Sequence, residues 1–310
     1  MKFILGTRGS QLSLAQTNWV VSELKKATGN EFEIRTIKTK GDTDARPLFT
    51  IDQKGIFEKE IDKAVSDQTI DFAVHSLKDV PSRLMDNLTL GCVPRREEVN
   101  DIFISNNGFT LQTIPPESII GTSSLRRAVQ VSRIREDVTV KPIRGNIESR
   151  ISKVKEGKFD AIVLAQAGIS RLGAPGVDYT KLPISQFPPS PGQGALAIVC
   201  RVDDKKTLEM IRKIEDVNSR IGVEAERSLS NFIDSGCRFP VGAYGYVEGD
   251  MVNLMVSAYS IDGKKSLIVE KSGPKNEAQK LGHLVAEDLI EKGIKELAVN
   301  WREKLGEWNV

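Results

Sequence analysis

ILGTRGSQLSLAQ, Ile4 to Gln16, is echoed by IIGTSSLRRAVQ, Ile119 to Gln130. Each stretch runs from an apolar pair through a glycine turn and small hydroxyl residues into a segment with helical spacing of apolar positions. A second echo follows in each half: IDFAV at Ile70–Val74 and FDAIV at Phe159–Val163. The match is weak, so it reads as one architecture used twice and not as a recent duplication.

Working outward, KFILGTRGS predicts a strand and a glycine turn, then a helix with Leu12, Ala15, Trp19 and Leu24 on its apolar face. EFEIRTIKT alternates as a strand does, GIFEKEIDKAVSD is helical, and IDFAVHSL reads as a buried strand that ends at Lys78-Asp79. In the second half, SIIGTSSLRRAVQVSRI is strand, turn and helix. VTVKPI is a strand, GNIESRISKVKEG a helix, and FDAIVLAQAGISRLG a strand running into a helix. Such alternation predicts two α/β domains with mostly parallel sheets. FPPSPGQGALAIVCR, rich in Pro and Gly, reads as a crossing between them. After about Val217 come a helix, strands joined by EGD and DGK turns, and a long amphipathic helix, a third domain of α+β type. The boundaries drawn are 1–94 with 195–214, 95–194, and 215–310. Lys40–Phe57 has no clear period, and a loop of that length is commonly a lid or binding loop.

The 310 residues are 39% hydrophobic and 28% charged, as in a globular protein of two or three domains. A net charge of only +2 argues against a general nucleic-acid binder. No stretch is long and apolar enough to span a membrane, and no secretory signal opens the chain. Cys92, Cys200 and Cys237 are few and lack CxxC spacing, so they read as free thiols of a reducing cytoplasm. With only His75 and His283, a histidine-rich metal site is not expected.

Open α/β sheets bind ligands beyond the carboxyl ends of their strands. Three polar clusters fall at such ends: Arg8 and Ser10; Lys78 and Asp79; and Ser123, Ser124, Arg126 and Arg127. At the first and third a helix starts at once, so free N–H groups and a positive dipole end face the same space. Arginine grips carboxylate or phosphate through a planar fork. One such arginine would read as a solvated face and one serine as an N-cap. Three clusters at corresponding ends point to a cleft for a ligand with several acidic groups. Asp79 reads either as an ion-pair partner of Lys78 or as the one nearby acid free for proton transfer or for stabilising a developing cation. His75, in an apolar strand, reads as a satisfied core histidine, and Cys92 and Cys200 as packing residues. Cys237, between Gly236 and Pro240, sits in a loop and reads by spacing alone as unremarkable.

The motifs together resemble the hydroxymethylbilane synthase, or porphobilinogen deaminase, family over essentially the whole chain. GTRGSQLSLAQ, KGIFEKEI, DFAVHSLKDVPS, GTSSLRR, IRGNIESR, DAIVLAQAGISRLG, PGQGALAI, EAERS and GCRFPVGAY carry the resemblance in order. It implies two periplasmic-binding-protein-like α/β domains around a hinged cleft and a C-terminal α+β domain. It implies a cytoplasmic, monomeric transferase of porphyrin and heme biosynthesis, which joins four porphobilinogen molecules into a linear tetrapyrrole and releases ammonia at each step. The implied cofactor is a dipyrromethane held by a thioether to Cys237. The implied catalytic acid is Asp79, which would stabilise the azafulvene cation formed as ammonia leaves. The implied basic and hydroxyl contacts are Arg8, Ser10, Lys54, Lys78, Ser124, Arg126, Arg127, Arg144, Arg150 and Arg171. No metal, nucleic acid or membrane partner is implied, and a transient hand-off of product to the next tetrapyrrole enzyme is compatible with the reading. The chain departs from the family's usual glycines at Asp52-Gln53 and at Ser235. The rival readings are a non-catalytic two-domain binder of a small polyacidic ligand, which leaves Cys237 and the third domain without a role, and a nucleic-acid binder.

Overall fold

The echoed stretches fold alike. In each half the leading isoleucine donates its N–H to an aspartate of the second echo: Ile4 to Asp71 Oδ2 and Ile119 to Asp160 Oδ2, both at 2.7 Å. Each aspartate N–H bonds back to the same isoleucine's carbonyl, at 2.7 and 2.9 Å. The computed structural model describes residues 1–43, 58–173, 176–233 and 240–297.

The first half contributes β1 (Lys2–Thr7), α1 (Gln11–Thr28), β2 (Glu31–Thr36), α2 (Lys40–Thr43), α3 (Lys59–Ser66), β3 (Phe72–Ser76) and β4 (Leu88–Cys92). The second contributes β5 (Asp101–Ser105), β6 (Ile119–Gly121), α4 (Leu125–Ile134), β7 (Thr139–Lys141), α5 (Ile147–Lys155), β8 (Ala161–Ala165), α6 (Gln166–Leu172) and β9 (Thr180–Lys181). The chain then returns through β10 (Leu196–Arg201) and α7 (Lys205–Ile211). Two five-stranded sheets result, in the orders β2-β1-β3-β10-β4 and β7-β6-β8-β5-β9. Position for position the orders match, so the shared architecture is real.

The parallel character is broken in one place per sheet. β1 pairs parallel with β2 and β3, and β6 with β7 and β8. β10 runs antiparallel to β3 and β4, and β5 antiparallel to β8 and β9. The reason is connectivity. β4 and β9 each end at the carboxyl edge of their sheet, and the chain crosses there to the other sheet. A strand that enters a sheet at its carboxyl edge must run against its neighbours. The two crossings, 93–100 and 182–195, lie against each other: Glu97 N–H donates to Gly194 O at 3.1 Å. Gly194 has φ +83°, and a Cβ there would lie 2.5 Å from Glu97 O, so only glycine allows this approach.

Both faces of each sheet are covered, as near-continuous apolar strands require. Phe3, Leu5, Phe72 and Ile198 pack with Val20 and Leu24 of α1. Ala73, Ala197 and Val199 pack with Ile61 and Val65 of α3. α1 differs from its sequence reading: Val20, Val21 and Leu24 are buried, with Gln16 and Thr17, while Trp19 is 39% exposed. The first turn of α1 also reaches the other half, where Leu12 approaches Gly168 of α6. The stretch read as a loop from Lys40 begins with the short helix α2, and residues 44–57, with Lys54 and the Asp52-Gln53 departure, lie outside the described residues.

The third unit is the antiparallel meander β11 (Val241–Glu248), β12 (Met251–Tyr259) and β13 (Ser266–Pro274), with α8 (Val217–Phe232), α9 (Ala278–Glu291) and the short α10 (Ile294–Leu297). Ala225 and Leu229 of α8 and Leu281, Val285 and Leu289 of α9 close over Val252, Leu254 and Val256. It also meets the second half, where Tyr259 packs on Leu125 and Val129 of α4.

Candidate active site

Two of the three polar clusters are built by the same local device, a serine-capped helix start. The Ser10 hydroxyl caps α1 by accepting the Ser13 N–H at 3.2 Å, and the Ser124 hydroxyl caps α4 by accepting the Arg127 N–H at 3.5 Å. The caps end the strand-to-helix turns that carry Arg8 and Arg126-Arg127. After β3 the chain makes a single 3-10 turn, Leu77–Asp79, which leaves Lys78 and Asp79 at the same kind of edge.

Arg126 and Arg127 are buried, and both guanidinium groups turn onto one carboxylate. Arg126 Nη2 lies 2.7 Å from Asp101 Oδ2, and Arg127 Nη2 and Nε lie 2.7 and 3.0 Å from Asp101 Oδ1. Gln193 donates to the same Oδ1 at 2.9 Å and to Val99 O at 2.7 Å, so both crossing segments join this knot. Arg126 also donates to Pro188 O at 2.6 Å and to Gln130 at 2.7 Å. Burial pushes the Asp101 carboxyl up, but the charges and hydrogen bonds of Arg126 and Arg127 win and hold it below the ordinary carboxylate range. One carboxylate between two guanidinium groups leaves a surplus positive charge.

That surplus reaches across to the first half. Burial is the largest cause that lowers the Lys78 ammonium from its ordinary value; Arg127 and Arg126 lower it further, while Asp79 and Asp101 oppose them. Lys78 and Asp79 nonetheless keep exposed side chains, as groups lining a cleft do. Among the described residues no ion pair joins Lys78 to Asp79, and no hydrogen bond engages the Asp79 carboxylate. His75 is satisfied in the core as expected, 2.9 Å from Asp62 Oδ1.

Arg150 on α5 joins the positive field: burial first, then Arg127 and Arg144, pushes it down to about 10. Its Nε donates to Gly145 O at 2.8 Å. Arg144, on the turn before α5, is half-buried beside it. Arg171 on α6 is pushed down to about 10 by burial, with Glu97 opposing, and donates to Gly194 O at 2.6 Å. Arg8 is half-buried at the end of β1. Cys237 lies outside the described residues, as does Ser235. Cys92 and Cys200 are buried, and burial pushes the Cys200 thiol up to about 12 and the Cys92 thiol higher still.

Sequence reasoning did not single out Asp101, Gln193, Arg96, Glu226 or Arg227. Glu226 is fully buried on α8, and its carboxylate takes Arg96 at 2.7 and 3.1 Å, Gly192 N–H at 2.6 Å and Gly245 N–H at 2.7 Å. The available signal was a charged residue opening an apolar run, as Asp101 does in NDIFIS, or an acid inside an otherwise amphipathic helix, as in EAERS.

Two α/β lobes thus meet at an edge where cations outnumber carboxylates among the described residues, and where the Asp79 carboxylate has no hydrogen bond among them. Two family models cover most of the chain: "Porphobilinogen deaminase, dipyromethane cofactor binding domain" over residues 3–209 and "Porphobilinogen deaminase, C-terminal domain" over residues 221–291. A "Probable porphobilinogen deaminase" of Nitrosopumilus maritimus (strain SCM1) is 66% identical over 310 residues, 100% of this chain and 99% of that one. The porphobilinogen deaminase of Brevibacillus brevis (strain 47 / JCM 6285 / NBRC 100599) is 42% identical over 94% of this chain and 95% of its own. Among solved structures, the substrate-binding domain 2 of Lactococcus lactis GlnP in open conformation aligns with 68% of this chain and 86% of its own, at 11% identity and a TM-score of 0.43. The chain belongs to the porphobilinogen deaminase family, and it is a transferase whose cofactor is a dipyrromethane.

Proposed function

We propose that the chain condenses four porphobilinogen molecules, with loss of ammonia at each step, and that the cleft between its two lobes is where this happens. The observation that carries the reading is Asp79: a carboxylate with no hydrogen bond among the described residues, next to a lysine that feels both arginines of the opposite lobe.

Each pyrrole unit carries an acetate and a propionate, so a dipyrromethane and the chain grown from it are polyanions. The surplus cations fit such a group: Lys78, Arg144, Arg150 and Arg171, with Arg8, Arg126 and Arg127, would hold carboxylates, and Ser10 and Ser124 sit at helix starts facing them. Lys54 joins this set by the family pattern, and Cys237 is the attachment point by the same pattern. When bound, the dipyrromethane supplies the nucleophilic pyrrole carbon that starts chain growth. The Asp79 carboxylate stabilises the positive charge that develops on an incoming porphobilinogen as its ammonia departs. The knot around Asp101 keeps Arg126 and Arg127 fixed, so that their charge is preorganised.

The three sheets support the domain boundaries 1–94 with 195–214, 95–194, and 215–310, since among the described residues no sheet draws strands from outside its own segment. No helix among the described residues is long and apolar enough to cross a membrane. A cytoplasmic monomer that passes its product directly to the next tetrapyrrole enzyme is consistent with this.

The test is an intact mass of the purified protein. It should exceed that of the 310 residues by two linked pyrrole units. Cys237→Ala should lose both the adduct and the activity, while Cys92→Ala and Cys200→Ala keep both. An active protein of unmodified mass, or an adduct that survives in Cys237→Ala, would overturn the proposal.

A further inference from the structure

Asp79 has no side-chain partner among the described residues, so its direction is set by the backbone turn that bears it. Upstream, that turn is anchored within the first lobe and its crossing. Leu77 N–H donates to Ala195 O at 3.0 Å, and Val80 N–H closes the turn onto Leu77 O at 3.0 Å. Gly192 presses on it from the side: with φ +74°, a Cβ there would lie 3.0 Å from Lys78 N.

Downstream, the anchor comes from the third unit. Arg227 on α8 sends Nη2 to Pro81 O at 2.8 Å and to Ser82 O at 2.9 Å, while Nη1 reaches Val80 O at 3.5 Å. No carboxylate among the described residues pairs with this arginine; burial lowers it from its ordinary value, and Arg220 adds to that. The guanidinium fork is thus used to gather successive main-chain carbonyls, a task a point-charge ammonium performs poorly. Pro81 has no N–H and the segment joins no strand, so among the described residues Arg227 is the donor to the Pro81 and Ser82 carbonyls. The preceding residue on the helix, Glu226, holds Gly192 N–H at 2.6 Å. Two neighbouring residues of α8 therefore grip the Lys78-Asp79 turn on both of its flanks.

We propose that Arg227 is a positioning residue for Asp79, and that through it the third unit sets the aim of the catalytic carboxylate in the first lobe. This rests on the role given to Asp79 above. A misplacement of about 1 Å can cost roughly 100-fold in rate. Arg227→Gln should therefore retain the pyrrole adduct by intact mass and a KM within about three-fold, while kcat falls by roughly 10- to 100-fold. Arg227→Lys, which keeps the charge and one donor direction, should recover part of that loss. It also carries the test if the Gln variant does not fold.

The decisive measurement is a double-mutant cycle with Asp79→Asn, alongside amide hydrogen exchange across residues 78–83. If Arg227 acts through Asp79, Arg227→Gln should slow the Asp79→Asn enzyme by less than about three-fold, and exchange in that segment should quicken at least ten-fold. A full multiplicative loss in the Asp79→Asn background, or exchange unchanged while Asp79→Asn is inactive, would sink the role of Arg227 alone. A near-parental Asp79→Asn enzyme would sink the role of Asp79, and this one with it.

Discussion

At the residue scale the informative contrast is between the two acids of the cleft. Asp101 is fully buried and shared by two arginines, whereas Asp79 is exposed and unbonded among the described residues. Asp101→Asn should destabilise the protein by about 3–5 kcal/mol, the usual effect of breaking a buried ion pair from one side. Denaturant unfolding measures it, and a loss under about 1 kcal/mol would mean that water or other groups replace the carboxylate. Because its folded pKa is depressed, the stability Asp101 contributes is present above the unfolded aspartate value of about 3.9 and disappears as pH falls through the folded value. The Asp101→Asn and parent melting curves should accordingly converge below about pH 4. For Asp79→Asn the expectation is different: an unchanged melting temperature, a loaded cofactor and scarcely any turnover. Electrostatic stabilisation of this type is commonly worth about 3–4 kcal/mol, or two to three decades in kcat. Turnover within a few-fold of the parent would move the role elsewhere.

At the scale of elements, the crossings and the helix starts govern the site. β5 and β10 enter their sheets at the cleft edge, so Asp101 opens one of them and Gln193 precedes the other. The polar clusters at the strand ends and the connections between lobes thus occupy the same edge. Gly194→Ala tests how tightly the crossings are joined. Its φ of +83° strains any other residue, and the added methyl would meet Glu97 O at 2.5 Å. A loss of more than about 1 kcal/mol is expected by thermal unfolding, together with slower cofactor loading because Arg171 is bonded to the same residue's carbonyl. Parental stability would show that the two segments separate easily. Caps matter less: Ser10→Ala should lose only about 1 kcal/mol, read in the same assay.

For the whole molecule, the positive cleft is a folding problem that an anionic ligand relieves. Lys78, Arg150 and Arg171 are all lowered by burial, and together with Arg126 and Arg127 they make five cations against the three carboxylates, Asp79, Asp101 and Glu97, that act on them among the described residues. Cofactor-free Cys237→Ala should melt several degrees below the parent, since a ligand bound only to the folded state stabilises it. Equal melting temperatures would mean that the lobes do not rely on the ligand's carboxylates. In the native protein, a thiol reagent should leave Cys92 and Cys200 unmodified until unfolding, because burial keeps both thiols protonated and shielded.

Much of this was legible from the chain alone, for reasons that are local. The strand, glycine turn and helix start at Gly6–Gln11 and at Gly121–Leu125 follow from apolar spacing, small residues and serine caps, each acting within a few positions. The motifs that mark the family, and the positions of Asp79, Arg126 and Arg127 at strand ends, are local in the same sense. Tertiary structure decided what depends on pairs far apart in sequence. Trp19 was read on the apolar face and is exposed, because the face that α1 buries is the one with Val20, Val21 and Leu24. β5 and β10 run against their neighbours because of where the crossings enter. Asp101 meets arginines 25 and 26 positions away, and Arg227 reaches carbonyls 145 and 146 positions back. A single arginine or aspartate in a sequence shows its charge but not its partner. Burial decides which partners are obligatory, and burial exists only once the lobes and the third unit have packed.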